Sequence, residues 1–126
     1  MAPDTATNRA AVVATLERTG SAGAQAHCCP KLHEAVELIG KRWTGAIIAV
    51  LLEGGAMRFT EIAQAIPQLS DRLLSERMKE LEARHIVERR VSPDSPARVE
   101  YELTEMGTEL APVLAQLKSW SHRWLD

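Results

Sequence analysis

The residues best equipped for chemistry in this chain are two thiols set side by side. Cys28 and Cys29 are its only cysteines, and they stand in "AHCCPKLHEAVELIGKRW", directly before Pro30. Proline favours the first position of a helix, which predicts Cys29 at the N-cap, where aligned amide dipoles favour an anion. Lys31 acts in the same direction. Both influences raise the thiolate fraction, and the thiolate is the reactive form. A bond between the two sulfurs is sterically poor, because adjacent Cα atoms lie about 3.8 Å apart and disulfides usually span roughly 4.4–6.8 Å. Oxidation is therefore expected to link protomers, to form a mixed disulfide with a small thiol, or to stop at sulfenic acid. Two alternatives stay open. Cys29 is a plain half-buried cap residue, or it belongs to a metal or metalloid site with Cys28, His27 and His33. Cys29 and His33 are one turn apart, but contiguous ligands rarely complete a tetrahedral site without a second chain segment.

Arginines and lysines form the second set of candidates. The chain of 126 residues has a net charge of −2, so bulk charge gives no sign of a polyanionic partner. Its distribution does: residues 58–98 carry eight basic and seven acidic residues, whereas residues 99–126 carry two and five. Such a small excess counts only if the cations share a face.

The elements that must position these groups follow from hydrophobic spacing. Residues 1–27 read as a short Ala-rich helix and a linker, "TGSAGAQ"; residues 28–126 read as one domain. Leu32, Ala35, Val36 and Ile39 predict a helix that Gly40 ends. Trp43, Ala46, Ile47, Val50 and Leu51 predict the next, stopped at Gly54-Gly55. Phe59, Ile62, Ala63 and Ile66 share one face of a third, closed by Pro67. Ser70 is a good N-cap for a fourth, with Asp71 in its first turn and Leu74, Met78, Leu81 and His85 along its buried side. A short helix, a tight turn and a longer, partly basic helix make a helix-turn-helix. "IVERRV" and "RVEYEL" then alternate as strands across the turn-forming "SPDSPA". The fold class predicted is mainly α with a small β-hairpin wing, a winged helix-turn-helix.

From a Thr104 cap a last helix is expected to run to about Leu125, bent by the internal Pro112. Its apolar residues Met106, Leu110, Val113, Leu117, Trp120 and Trp124 are spaced 4-3-4-3-4. That is an a/d seam of the kind that pairs with another helix. A small winged-helix body has little surface left to cover two tryptophans, so a dimer seam is the preferred reading over a private core.

No apolar run approaches the roughly 18–20 residues that span a bilayer, and the first twenty residues lack the flanks of a secretory signal, so a cytoplasmic chain is expected. There is no glycine-rich phosphate cradle, no nucleophile with a His or Asp pattern, and no carboxylate pair placed for acid–base work. An enzyme and a bound cofactor are not expected.

The ordered pieces "CPKLHEAVELIGKRWT", "RFTEIAQAIPQLSDRLLSERMKELEARHIVERRV", "RVEYELTEMG" and "LAPVLAQLKSW" together resemble the HxlR-type transcription regulators, a winged-helix family related in fold to the MarR regulators. The resemblance runs from Cys29 to about Trp120. It implies a homodimer joined through N- and C-terminal helices and binding to inverted-repeat operators in double-stranded DNA near promoters. It also implies that the cysteine of the "CP" pair, here Cys29, senses a small oxidant or electrophile. Cys28 lies outside the usual pattern, and the wing carries a serine where a bulky residue is expected.

On a wheel centred on Leu74, the side chains of Arg72, Ser75, Glu76 and Lys79 point away from the buried face, towards a major groove. Arg72 is the first choice for a base contact, since bidentate arginine to guanine is the commonest specific readout. Ser70 and Ser75 suit phosphate or base edges. Lys41, Arg42 and Arg58 suit phosphates, and Arg90 and Arg98 flank the wing beside the minor groove. Arg77 sits at the edge of the buried face and is expected to tie the helix to its neighbours. The competing readings are a solvated helix face, a metal or metalloid sensor on the same scaffold, and a winged helix used only for protein contacts.

Overall fold

The computed structural model of the chain describes residues 26–126, so the helix and linker expected before residue 26 lie outside the described residues. The chain divides into two units whose boundary falls between Leu38 and Ile39.

α1 (Pro30–Ile39), in the first unit but for its last residue, begins at the predicted proline. Cys29 is its N-cap: the Cys29 carbonyl oxygen accepts from the His33 amide at 2.9 Å, and the Cys29 sulfur accepts from the Leu32 amide at 3.5 Å. His33 and Glu37 pair one turn apart at 3.8 Å. No residue of α1 is buried, and Leu32, Ala35 and Val36 of its apolar stripe are exposed.

The second unit contains α2 (Thr44–Gly54), α3 (Phe59–Ala65), α4 (Asp71–Ala83), β1 (Val87–Val91), β2 (Val99–Leu103), α5 (Glu105–Thr108) and α6 (Ala111–Trp124). Its core gathers Ile47, Ile48 and Leu51 of α2, Ile62 of α3, Leu74, Met78 and Leu81 of α4, and Ile86 and Val87 at the entry to the hairpin. Burying one such aliphatic side chain is worth roughly 1.5–3 kcal/mol. α3 and α4 are thus held in place by the face that the 3.6-residue period marks.

The face of α2 differs from the expected one. Trp43 is not on the helix but precedes it in a left-handed conformation (φ 74°), and Ala46 is exposed while Ile48 is buried. This helix is apolar almost all round, so spacing alone does not choose which side meets the core. Gly55 follows it at φ 71°, where a side chain would be strained, and donates its amide to Leu51.

The helix-turn-helix is α3, residues 66–70 and α4. Ser70 caps α4 as expected, its Oγ accepting from the Leu73 amide at 3.2 Å. The far end of α4 corrects the sequence expectation: His85 is not a core residue. It lies exposed beyond the helix at φ 62°, with its amide donating to Glu82 and the Ile86 amide donating back to Leu81. That pair of bonds is a Schellman stop, and the apolar residue after it, Ile86, is the one that goes inside.

β1 and β2 pair antiparallel, with Val87 opposite Leu103, Arg89 opposite Tyr101 and Val91 opposite Val99. Met57 bridges to Tyr101 from the other side through two backbone bonds of 2.9 and 2.7 Å. The hairpin is therefore anchored to the segment that leads into α3.

The expected single C-terminal helix is two. Thr104 caps α5, its Oγ1 accepting from the Gly107 amide and donating to the His85 carbonyl at 2.6 Å. α5 ends after four residues, and Pro112 stands in the first turn of α6. Proline there loses no helical bond, whereas inside a continuous helix it would clash with the turn before it. Buried Gly107 lets α5 seat closely on the entry to the hairpin, since a Cβ at this position would fall on the Ile86 carbonyl oxygen.

Candidate nucleic-acid interface

The outward face of α4 is the side opposite Leu74, Met78 and Leu81. Arg72 stands on its first turns with 91% of its side chain exposed, leaning on Glu76 at 3.6 Å. An exposed pair of this kind contributes little to stability and opens easily to another acceptor. Glu76 and Lys79 are exposed, and Ser75 is half-buried. Arg72, Glu76 and Lys79 therefore share one face, and Ser75 turns towards the hairpin. Ser70 is exposed, with its hydroxyl engaged as the cap acceptor described above.

The other cations fall into two groups. Lys41 is bound to Glu80 of α4 at 2.8 Å, and Arg90 is held between Glu88 at 3.3 Å and Glu102 at 3.1 Å. Both are partly neutralised. Arg42 lies over the Trp43 ring, 5.5 Å from its centre. Arg58 caps α3 through its backbone, its amide donating to Glu61 Oε1 at 2.8 Å, and its side chain is exposed. Arg98 is exposed at the root of the wing, its carbonyl oxygen accepting from the Ser92 amide at 2.7 Å. Arg77 makes the tie its position suggested: with only 11% of the side chain exposed, it donates to the Arg42 carbonyl and to Glu80.

Two residues absent from the sequence reading join this surface. Arg89 and Tyr101 are direct partners across the hairpin, and with Phe59, Ser75, Met78, Lys79 and Glu82 they line a small cavity of about 140 Å³. Only the strand register brings them there. Alternation along "IVERRV" hints at it, since Arg89 and Arg90 must leave opposite faces of the hairpin.

Away from this surface, the seam residues of the C-terminal region are uncovered. Met106, Val113 and Leu117 are exposed, as are Trp120 at 53% and Trp124 at 59%, while Leu110 is half-buried. The break between α5 and α6 puts Met106 on a separate helix from the other exposed members of the seam. Beside it, α2 and α6 flank an open apolar groove of about 700 Å³, lined by Gly45, Ala46, Ala49, Leu114, Ala115 and Trp120 among others. Contiguous exposed apolar surface of this kind is uncommon on monomeric soluble proteins.

Cys28 is exposed and Cys29 half-buried, and both are free thiols. Among the described residues no three His, Cys, Asp or Glu side chains are grouped to hold a metal ion, so His27, Cys28, Cys29 and His33 do not converge on one point.

Residues 38–126 match the family described as HxlR-like helix-turn-helix. Two proteins of Bacillus subtilis (strain 168) are similar along most of their length. The HTH-type transcriptional regulator YvaP is 46% identical over 102 residues, 81% of this chain and 94% of its own. The HTH-type transcriptional regulator YodB is 47% identical over 98 residues, 78% of this chain and 87% of its own. The structure of reduced YodB superposes with a TM-score of 0.72 at 46% identity, covering 79% of this chain and 97% of that one. YodB has also been solved diamide-treated (TM-score 0.66, 44% identity, 80% and 99% covered) and quinone-bound (0.66, 45%, 77% and 100%). The redox regulator HypR in its oxidised form gives 0.70 at 36% identity, covering 78% and 99%.

Proposed function

The chain belongs to the HxlR-like helix-turn-helix family, and from that premise we propose that it is a homodimeric transcription regulator that seats α4 in the major groove of operator DNA and loses its grip through thiol chemistry at Cys29. The observation that carries the DNA-binding part is the outward face of α4, with Arg72 almost fully exposed and its helix clamped from behind by Arg77. Arg72 reads base edges. Arg58 and Arg98, and to a lesser degree Lys41, Arg42, Arg90 and the Ser70 hydroxyl, contact the sugar–phosphate backbone. The uncovered seam of α6 supports pairing of two copies, which sets two α4 helices about 34–36 Å apart on an inverted repeat.

The sensing part rests on the Leu32 amide pointing at the Cys29 sulfur. A thiolate formed there receives a hydrogen bond and the positive end of the α1 dipole. The relatives support this choice of effector: YodB has been solved reduced, diamide-treated and quinone-bound, and HypR both oxidised and reduced. The effector class is a small oxidant or electrophile. Cys28, exposed beside it, is a second thiol within reach of the same reagent. No helix among the described residues is long and apolar enough to cross a membrane, in keeping with a regulator that meets DNA in the cytoplasm.

The test is fluorescence anisotropy on the DNA upstream of the protein's own gene, with and without diamide, for the wild type and for Cys28→Ser and Cys29→Ser. The expected result is DNA binding that diamide reverses in the wild type and in Cys28→Ser but not in Cys29→Ser. An unchanged diamide response in both variants removes the thiol switch. Failure of the wild type to bind any such DNA points instead to a winged helix used for protein contacts.

A further inference from the structure

The geometry points to a second DNA contact, a slot between α4 and the hairpin in which Ser75, Lys79, Arg89 and Tyr101 hold one phosphodiester group of the backbone. It rests on the reading that α4 enters the groove, and it assigns side chains that the recognition helix alone does not supply.

The slot follows from two periodicities that meet. Ser75, Lys79 and Glu82 recur at helical spacing and share one side of α4. Arg89 and Tyr101 face each other in the antiparallel register, so their side chains leave the same face of the hairpin. These five, over an apolar floor of Phe59 and Met78, line the cavity of about 140 Å³. Both walls are stiff. α4 is locked by the buried Arg77, and Tyr101 is held by β1 on one side and by the paired backbone bonds to Met57 on the other.

The charges select the ligand. Among the described residues Lys79 and Arg89 have no carboxylate partner, whereas the neighbouring Arg90 and Lys41 are engaged by Glu88, Glu102 and Glu80. Two free cations with two hydroxyl donors fit an anion rich in acceptor oxygens. Glu82, which also lines the cavity, is a like charge for that anion and weakens its hold. A phosphate seated here fixes how far α4 lies in the groove. Lys79 and Ser75 are then positioning contacts, and base readout falls to Arg72 and Glu76.

Anisotropy titrations over a salt series test this on two labelled duplexes, one of mixed sequence and one from the upstream region. Arg89→Gln is expected to weaken both alike, by about tenfold, and to make the slope of log K against log salt shallower by about 0.9 per protomer. Tyr101→Phe weakens both with the slope unchanged, and Glu82→Gln tightens both. Arg89→Lys restores the slope, which separates lost charge from lost fold. Unchanged affinity and slope in Arg89→Gln, with Arg72→Ala still losing the upstream duplex, overturn the slot and leave the DNA-binding reading intact. A loss in Arg89→Gln confined to the upstream duplex overturns it as well, by making Arg89 a base contact. Absence of wild-type binding to either duplex overturns both.

Discussion

Arg77 Nε donates to the main-chain carbonyl oxygen of Arg42 at 2.9 Å, thirty-five residues earlier in the chain. The same guanidinium reaches Glu80 at 3.2 Å, and Glu80 also accepts from Lys41 at 2.8 Å. One largely buried arginine thus fastens the middle of α4 to the segment just before α2. A helix that is to meet DNA needs such a fastening, because its outward face has no protein to lean on.

Removing that fastening costs stability. Arg77→Ala leaves the Arg42 carbonyl without its donor, and a loss of about 1–3 kcal/mol is expected in urea unfolding. Lys41→Ala breaks only an exposed pair and is expected to cost under about 1 kcal/mol. Equal losses in the two variants would show that Arg77 is not the tie.

The left-handed His85 gives a prediction of opposite sign. A side chain in that conformation costs about 1–2 kcal/mol, which glycine avoids, although glycine gives back about 0.5–1 kcal/mol in unfolded-state entropy. His85→Gly is therefore expected to raise stability by about 0.5 kcal/mol, read as a higher urea midpoint with an unchanged slope. A lower midpoint would mean that the imidazole makes a stabilising contact after all.

His85 also shows where sequence reasoning stops. The start of α4 was legible because its cap is local: Ser70 and the amide of Leu73 lie within one turn. Its end was not, because Leu74, Met78, Leu81 and His85 continue the apolar spacing, while the choice to bury Ile86 instead depends on the core it enters. The close seating of α5 was hidden for the same reason, since Gly107 packs on the carbonyl of a residue 21 positions earlier, Ile86. In the candidate site, the face of α4 could be drawn from the helical wheel. The engagement of Lys41 by Glu80, and the meeting of Arg89 and Tyr101 with Lys79, required the fold.

The seam of α6 yields a prediction about assembly. Val113 is exposed and does not line the groove between α2 and α6, so Val113→Glu leaves the body intact while placing a charge in the proposed contact. Sedimentation is expected to show a dimer for the wild type and a monomer for this variant, with weakened DNA binding and an unfolding midpoint that, unlike the wild type's, does not depend on protein concentration. A variant that remains dimeric would place the contact elsewhere.

The most direct measurement is a footprint on the DNA upstream of the gene, comparing the wild type with Arg72→Ala. Two protected half-sites are expected, with centres about 34–36 Å apart, one turn of the duplex, related by an inverted repeat. Arg72→Ala is expected to lose protection through particular base pairs and not uniformly across sequences. A single unpaired site, or protection that Arg72→Ala leaves untouched at every position, would contradict a dimer that reads DNA with the outward face of α4.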